Sequence, residues 1–309
     1  MTSAGGLMTS VAVLSHLVID EVSYPDQRPA AVAVGGAGAY AAVGASLASA
    51  AGPPLLVSGV GRADHIFLAD WCTRRQISSA GLFPVGEYSP RTRIQYFADG
   101  GREEVPVYGL GHFDAHTPLP RHIRVGPECL GGVYLFHNHD LGYWDEVAQF
   151  RRTFSGPLLW EVSSDSCRLE HRDAVWDRFQ AVDILSVNEA EAFALLGTAD
   201  LATAIGELRH AGLTVLLRRG ANGSLVLNKG EVYAVGTAPT QAQDPTGGGN
   251  SYSGAFLAAY AHTGELGCAA RTAAAAASVV VAAPGSPEVG ATIRQSVEDA
   301  ATGVSFDRC

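Results

Sequence analysis

Short apolar runs and longer amphipathic runs alternate along the whole chain, and the pattern of each predicts its element. Ser10–Ile19, Ala31–Val34, Pro54–Ser58, Val133–Phe136, Pro157–Val162 and Val182–Val187 are β-rich and mostly apolar on both faces, as buried strands are. Thr214 to Leu227 reads as strand, Gly-rich turn and strand. Arg91–Phe97 alternates polar with apolar residues, and Asp99-Gly100-Gly101-Arg102 follows as a hairpin turn. Helices are predicted between these runs: the Ala-rich stretch after Gly36, Asp64 to Arg75, the stretch opened by Asn188, the run that begins just after Gly249 and reaches Tyr260, and Arg271 to Ala283. Strands alternating with helices imply a three-layer α/β fold on a parallel sheet. There is no internal repeat and no low-complexity linker, so one domain spanning 1–309 is expected.

Composition narrows the function. Hydrophobic residues make up 47% of the 309 and charged residues 17%, so the chain has the material for a large core. A net charge of −10 disfavours nucleic acid and anionic membranes as partners. The five cysteines form no CxxC and are odd in number, which is expected of reduced thiols in a cytoplasmic protein. The first twenty residues lack a basic segment before their apolar run, so a secretory leader is not expected. Ala273–Ala283 is shorter than the roughly 20 residues a membrane span needs.

The candidate chemistry centres on Asp244-Pro245-Thr246-Gly247-Gly248-Gly249-Asn250, which leads into an Ala-rich helix. Glycines let a ligand approach the backbone closely, and a helix start offers free N–H groups and a positive dipole end. Together they make an anion site. Gly36-x-Gly38-x-x-Ala41 fits a relaxed dinucleotide fingerprint, but the next strand ends without the acid that would hold a ribose. A P-loop signature is absent. His137-Asn138-His139-Asp140 closes a strand; neighbours in an extended segment point apart, so a substrate-pocket loop is expected there rather than a metal site. Asn188 and Glu191 have the spacing of a capping box.

Asp-x-Thr-Gly-Gly-Gly-Asn resembles the C-terminal signature of the ribokinase-like (PfkB) carbohydrate kinases, in which the last position is an Asp that acts as base. Gly35-Gly36, the Val57–Asp64 turn, Asn188-x-x-Glu191 and Arg218-x-Gly220 resemble further family elements, in family order. The resemblance implies ATP-dependent phosphorylation of a hydroxyl on a small sugar- or nucleoside-like substrate, with Mg²⁺. In that reading Gly247, Gly248 and Gly249 form an anion hole and Asn250 contacts the reacting hydroxyl. Asp20, Gly35, Gly36 and Tyr40 are the substrate-binding residues; Tyr40 stands where the family has Asn. Asn188, Glu191, Arg218, Gly220, Asp244 and Thr246 serve the nucleotide, and Glu191 organises the metal. The resemblance also implies a β-sheet lid, with strands near 20–34 and 91–108, and a homodimer sharing it. Asn250 in place of the base leaves two alternatives: a weak kinase, or a non-catalytic protein that binds nucleotide and sugar. On the first, Asn250→Asp is expected to raise the rate by about ten-fold or more, the range of general-base assistance.

Overall fold

The computed structural model describes residues 10–23, 25, 31–97 and 102–309. The described strands are β1 (Ser10–Leu14), β2 (Val18–Ser23), β3 (Ala31–Gly35), β4 (Leu55–Val60), β5 (Ser78–Pro84), β6 (Arg91–Tyr96), β7 (Arg102–Pro106), β8 (Leu130–His137), β9 (Leu158–Val162), β10 (Ile184–Asn188), β11 (Thr214–Arg218), β12 (Ser224–Asn228), β13 (Glu231–Val235) and β14 (Phe306–Arg308). The α-helices are α1 (Ala37–Ala48), α2 (His65–Arg74), α3 (Leu110–Ala115), α4 (Leu141–Arg151), α5 (Arg172–Arg178), α6 (Glu189–Leu196), α7 (Leu201–Leu208), α8 (Gly248–Thr263), α9 (Leu266–Val280) and α10 (Ala291–Thr302).

Ten strands form the large sheet, in the order β14-β13-β12-β11-β10-β9-β8-β1-β4-β5. It is parallel from β11 to β5. At the other edge the chain turns back in hairpins, so β12, β13 and β14 pair antiparallel. The expectation of a parallel sheet therefore holds for its centre and not for this edge. Central strands are buried on both faces because helices cover both. In β1, Val11 and Val13 enter the core shared with α1, α8 and α9, while Ala12 and Leu14 enter the core shared with α4, α6 and α7.

The run Ser10–Ile19 is not one strand. It breaks at Ser15–Leu17, and its second half becomes β2 in a separate four-stranded sheet, β3-β2-β6-β7. The break is held by hydrogen bonds: Leu17 N donates to Ser58 Oγ at 2.9 Å, and Gly38 N donates to the carbonyl of His16 at 3.1 Å. This smaller sheet contains both expected lid segments. Residues 99–101 of the expected turn, like residues 26–30, lie outside the described residues. Its base is tied to the larger layer through Asp64, which is 6% exposed. Arg91 Nη2 lies 2.7 Å from Asp64 Oδ1, and Ser89 N donates to Oδ2 at 2.7 Å.

Candidate active site

The glycine signature lies where α8 begins, above the C-terminal ends of the parallel strands. Asp244 Oδ1 accepts from Thr246 N at 2.9 Å, closing the turn locally. Gly247 then takes a left-handed φ of 75° that a side chain would resist, and α8 starts at Gly248, two residues earlier than expected. The first-turn N–H groups of Gly249 and Asn250 have no acceptor within the helix and face outward from its positive end.

Two helices are brought backbone to backbone here. A Cβ at Gly44 in α1 would collide with the backbone of Ser251, and one at Gly254 in α8 would collide with that of Ala41. A Cβ at Gly247 would fall on the Tyr40 ring, which is 7% exposed. Tyr40, expected at the substrate, therefore forms the floor of the glycine turn. Asp20 lies over Gly35, whose Cβ would strike its carboxylate, because β2 and β3 pair in register. Asp20, Gly35 and Gly36 are thus neighbours, as expected of a substrate site. Gly36 has φ 87° at the entrance to α1.

A cavity of about 640 Å³ runs from this turn along α8 and α9. Asn188, Arg218, Gly220, Gly248 and Gly249 line its polar end, and Ala238, Pro239, Ala274, Ala277 and Val281 its apolar end. Of the residues expected to serve the nucleotide, Asn188, Arg218 and Gly220 reach the cavity. Asp244 and Thr246 shape the turn instead, and Glu191 lies one layer below.

Beneath the turn is a buried charged cluster. Arg218 Nη2 lies 3.0 Å from Glu161 Oε1 and 3.7 Å from Glu191 Oε2. Asn250 Nδ2 donates to Glu161 Oε1 at 2.9 Å, and the Tyr134 hydroxyl donates to Oε2 at 3.0 Å. Glu161 is 3% exposed. A Cβ at Gly249 would land on Arg218 Nη1, so the guanidinium lies against the glycine backbone. Its Nε is buried without a partner. Burial, followed by the nearby Glu161 carboxylate, pushes the Tyr134 phenol well above its ordinary range. Burial also raises the Glu191 carboxyl, against hydrogen bonds from Asn188 and the charge of Arg218. Glu191 completes the capping box: its Oε2 accepts from Asn188 N at 2.9 Å, and Asn188 Oδ1 accepts from Glu191 N at 2.8 Å.

Glu161 and Tyr134 were not singled out from sequence. The legible signal was a strand, Pro157–Val162, ending in an acid at the sheet edge where open α/β sheets bind ligands. The His137–Asp140 loop, by contrast, is engaged in local structure. The His137 ring stacks on Tyr143 with centroids 3.7 Å apart, Asn138 Nδ2 donates to Asp165 Oδ2 at 3.2 Å, and Asp140 caps α4 through Tyr143 N. Among the described residues no group of three or more His, Cys, Asp or Glu side chains could hold a metal ion.

Residues 147–290, which include Glu161, Glu191, Arg218 and the glycine turn, match the pfkB family carbohydrate kinase model. This segment is similar to the PfkB carbohydrate kinases. The chain is 26% identical to a cytidine kinase from Thermococcus kodakarensis over 82% of its own length and 89% of the relative's. Among solved structures, a probable sugar kinase from Rhizobium etli superposes with a TM-score of 0.75 at 17% identity, covering 95% of this chain and 99% of that one. The ribokinase of Arabidopsis thaliana complexed with ribose and ATP superposes with a TM-score of 0.72 at 19% identity, covering 95% and 98%. These superpositions show the ribokinase-like fold: one large, mostly parallel sheet, helices on both sides and a smaller separate sheet.

Proposed function

We propose that this protein transfers a phosphoryl group from ATP to a hydroxyl of a small sugar- or nucleoside-like acceptor. The observation that carries the reading is the cavity ending on the first turn of α8, with the Arg218 guanidinium against the backbone of Gly249. Its two ends suit a nucleotide: small apolar side chains for a base, free N–H groups and a cation for phosphates. The buried, unpartnered Nε of Arg218 fits that occupant, since an anion would give it an acceptor. Magnesium holds few protein carboxylates and keeps several waters, so Glu191 with phosphate oxygens suffices for it. Bound Mg-ATP supplies the phosphoryl group and neutralises charge during its transfer.

The remaining roles belong to the chain. Gly249 and Asn250 present N–H groups to the transferred group, and Arg218 adds a fixed positive charge in a water-poor site. Asp20, beside Gly35, accepts hydrogen bonds from acceptor hydroxyls. The smaller sheet, anchored by Asp64 and Arg91, closes over the acceptor and limits loss of the phosphoryl group to water. Val32, Glu21, Arg93 and Val105 share one cross-strand row of that sheet, and Val32 is 63% exposed, which supports a second copy covering it in a homodimer. Five free thiols support a reducing, cytoplasmic setting.

A second reading, a non-catalytic nucleotide- and sugar-binding protein, is favoured by Asn250, whose amide cannot accept a proton at neutral pH. Incubation of the protein with Mg-ATP and a panel of sugars and nucleosides separates the two, following both ADP and phosphorylated product. A kinase releases both in equal amounts with at least one acceptor. Nucleotide binding by calorimetry with no product from any acceptor would establish the second reading, and no nucleotide binding would refute both.

A further inference from the structure

Position 250 cannot be understood without Glu161. The carboxylate of Glu161 meets three side chains on three elements: it accepts hydrogen bonds from Asn250 of α8 and Tyr134 of β8, and it pairs with the charge of Arg218 of β11. Glu191 of α6 shares the same guanidinium at 3.7 Å. With Tyr134 OH donating to one oxygen, and Asn250 Nδ2 donating to the other beside the Arg218 ion pair, the acceptor-only carboxylate fixes which way the Asn250 amide points. Nδ2 is engaged by Glu161, so Oδ1 is the amide atom left to accept from a donor. We propose that Glu161 is a positioning residue of this active site. It holds the Asn250 amide with its oxygen toward the acceptor hydroxyl and holds Arg218 against the glycine turn, and it makes an amide at 250 a requirement.

The role assigned to the acceptor rests on the kinase reading above; the Glu161–Asn250 coupling does not. An aspartate at 250 would bring a second carboxylate to the place where Nδ2 now lies 2.9 Å from Glu161 Oε1. Two carboxylates that close cannot both ionise cheaply, and one of them must hold a proton. Arg218 is already shared with Glu191, so this guanidinium would face three carboxyl groups. The expectation that Asn250→Asp restores a missing base is therefore reversed. The site already contains its carboxylate, on β9 rather than on α8. In the swapped pair, Glu161→Gln with Asn250→Asp, the hydrogen bond runs in the opposite direction with the same net charge.

The test is a four-protein cycle: wild type, Asn250→Asp, Glu161→Gln and the double variant. Thermal unfolding is recorded at about pH 6 and about pH 8, because raising the pH favours ionisation of both members of a carboxyl pair. Acceptor phosphorylation is measured with Mg-ATP and the best acceptor of the panel. Asn250→Asp is expected to lower the melting temperature more at the higher pH, and to lower kcat by about ten-fold or more rather than raise it, as loss of an oriented polar contact does. The double variant is expected to recover most of the melting temperature and to exceed Asn250→Asp in kcat. A merely structural role for Glu161 would give no such rescue of kcat and no pH-dependent difference. Asn250→Asp that is as stable as wild type at both pH values, or a double variant no better than the sum of the singles, would overturn the proposal. If wild type phosphorylates nothing, the kinase reading fails, while the melting cycle still decides whether Glu161 and Asn250 are coupled.

Discussion

Glycine-to-alanine substitution should have opposite signs at two helical positions of this molecule, for reasons visible in its packing. At both sites the intrinsic effect favours alanine by about 1 kcal/mol, because glycine loses more backbone entropy in a helix. At Gly206 in α7 a Cβ meets nothing within 4 Å, so Gly206→Ala should stabilise by about that amount. At Gly254 in α8 the Cβ would collide with the carbonyl of Ala41, part of the α1 backbone. A backbone carbonyl in a packed helix cannot swing aside, so α1 and α8 must separate. Overpacking of this kind costs typically about 1–3 kcal/mol, and a collision with main chain belongs at or above the upper end. The net for Gly254→Ala is a loss of about 2 kcal/mol. A chain of 309 residues unfolds with an entropy near 0.65 kcal/mol/K, so that loss is about 3 °C and the gain at Gly206 between 1 and 2 °C. Scanning fluorimetry and urea unfolding of both variants against wild type measure this directly. An increase in melting temperature for Gly254→Ala, equal to that for Gly206→Ala, would refute the close helix contact and with it the geometry that joins the two glycine motifs.

Two further outcomes follow from other parts of the fold. Burial pushes His16 down to about 4, outweighing the hydrogen bond to the Phe113 carbonyl. Below its ordinary value near 6.5 the unfolded chain takes up a proton that the folded state refuses, so stability rises with pH from about 4 to about 6.5, by at most about 3 kcal/mol. His16→Gln should flatten that part of a urea-midpoint profile; an unchanged slope would show that other groups cause it. Asp64→Ala leaves Arg91 and Ser89 N without their carboxylate and should cost about 3 kcal/mol, the range for breaking a buried pair, with faster amide exchange across β6. Unchanged exchange in β6 would show that Asp64 does not anchor the smaller sheet.

Most of the α/β layering was legible because central parallel strands are apolar on both faces, a pattern few other elements share. Two features were not. The run Ser10–Ile19 carries no polar break beyond Ser15 and His16, and what splits it is tertiary: hydrogen bonds from Leu17 to Ser58 and from Gly38 to His16. The antiparallel edge was legible only as far as the Gly220–Gly223 turn, since β14 joins it from the far end of the chain. At the site, the glycine turn, Asn188 and Glu191 were legible because capping and turn chemistry are local in sequence. The packing of Tyr40 against Gly247 was not legible, because that contact spans some two hundred residues. Glu161 was visible only as an acid closing a strand, and nothing local distinguishes such an acid from a solvated one.

The charged cluster is costly for a fold that does not need it. Taking Glu161, Glu191 and Arg218 out of water costs more than their mutual attraction generally returns, and apolar residues of equal volume would be neutral or stabilising. The surrounding sheet offers such residues readily: Leu135, Trp160, Val187 and Leu217 are all buried beside it. The cluster also does not close on itself, since two carboxylates face one guanidinium whose Nε has no acceptor. Its position answers both points. It lies under the positive end of α8, where Arg218 and the free N–H groups favour an anion on the cavity side, while the surplus carboxylate favours a cation nearby. A phosphate group accompanied by a divalent cation is the kind of occupant that satisfies both at once, and an empty structural core has no use for either.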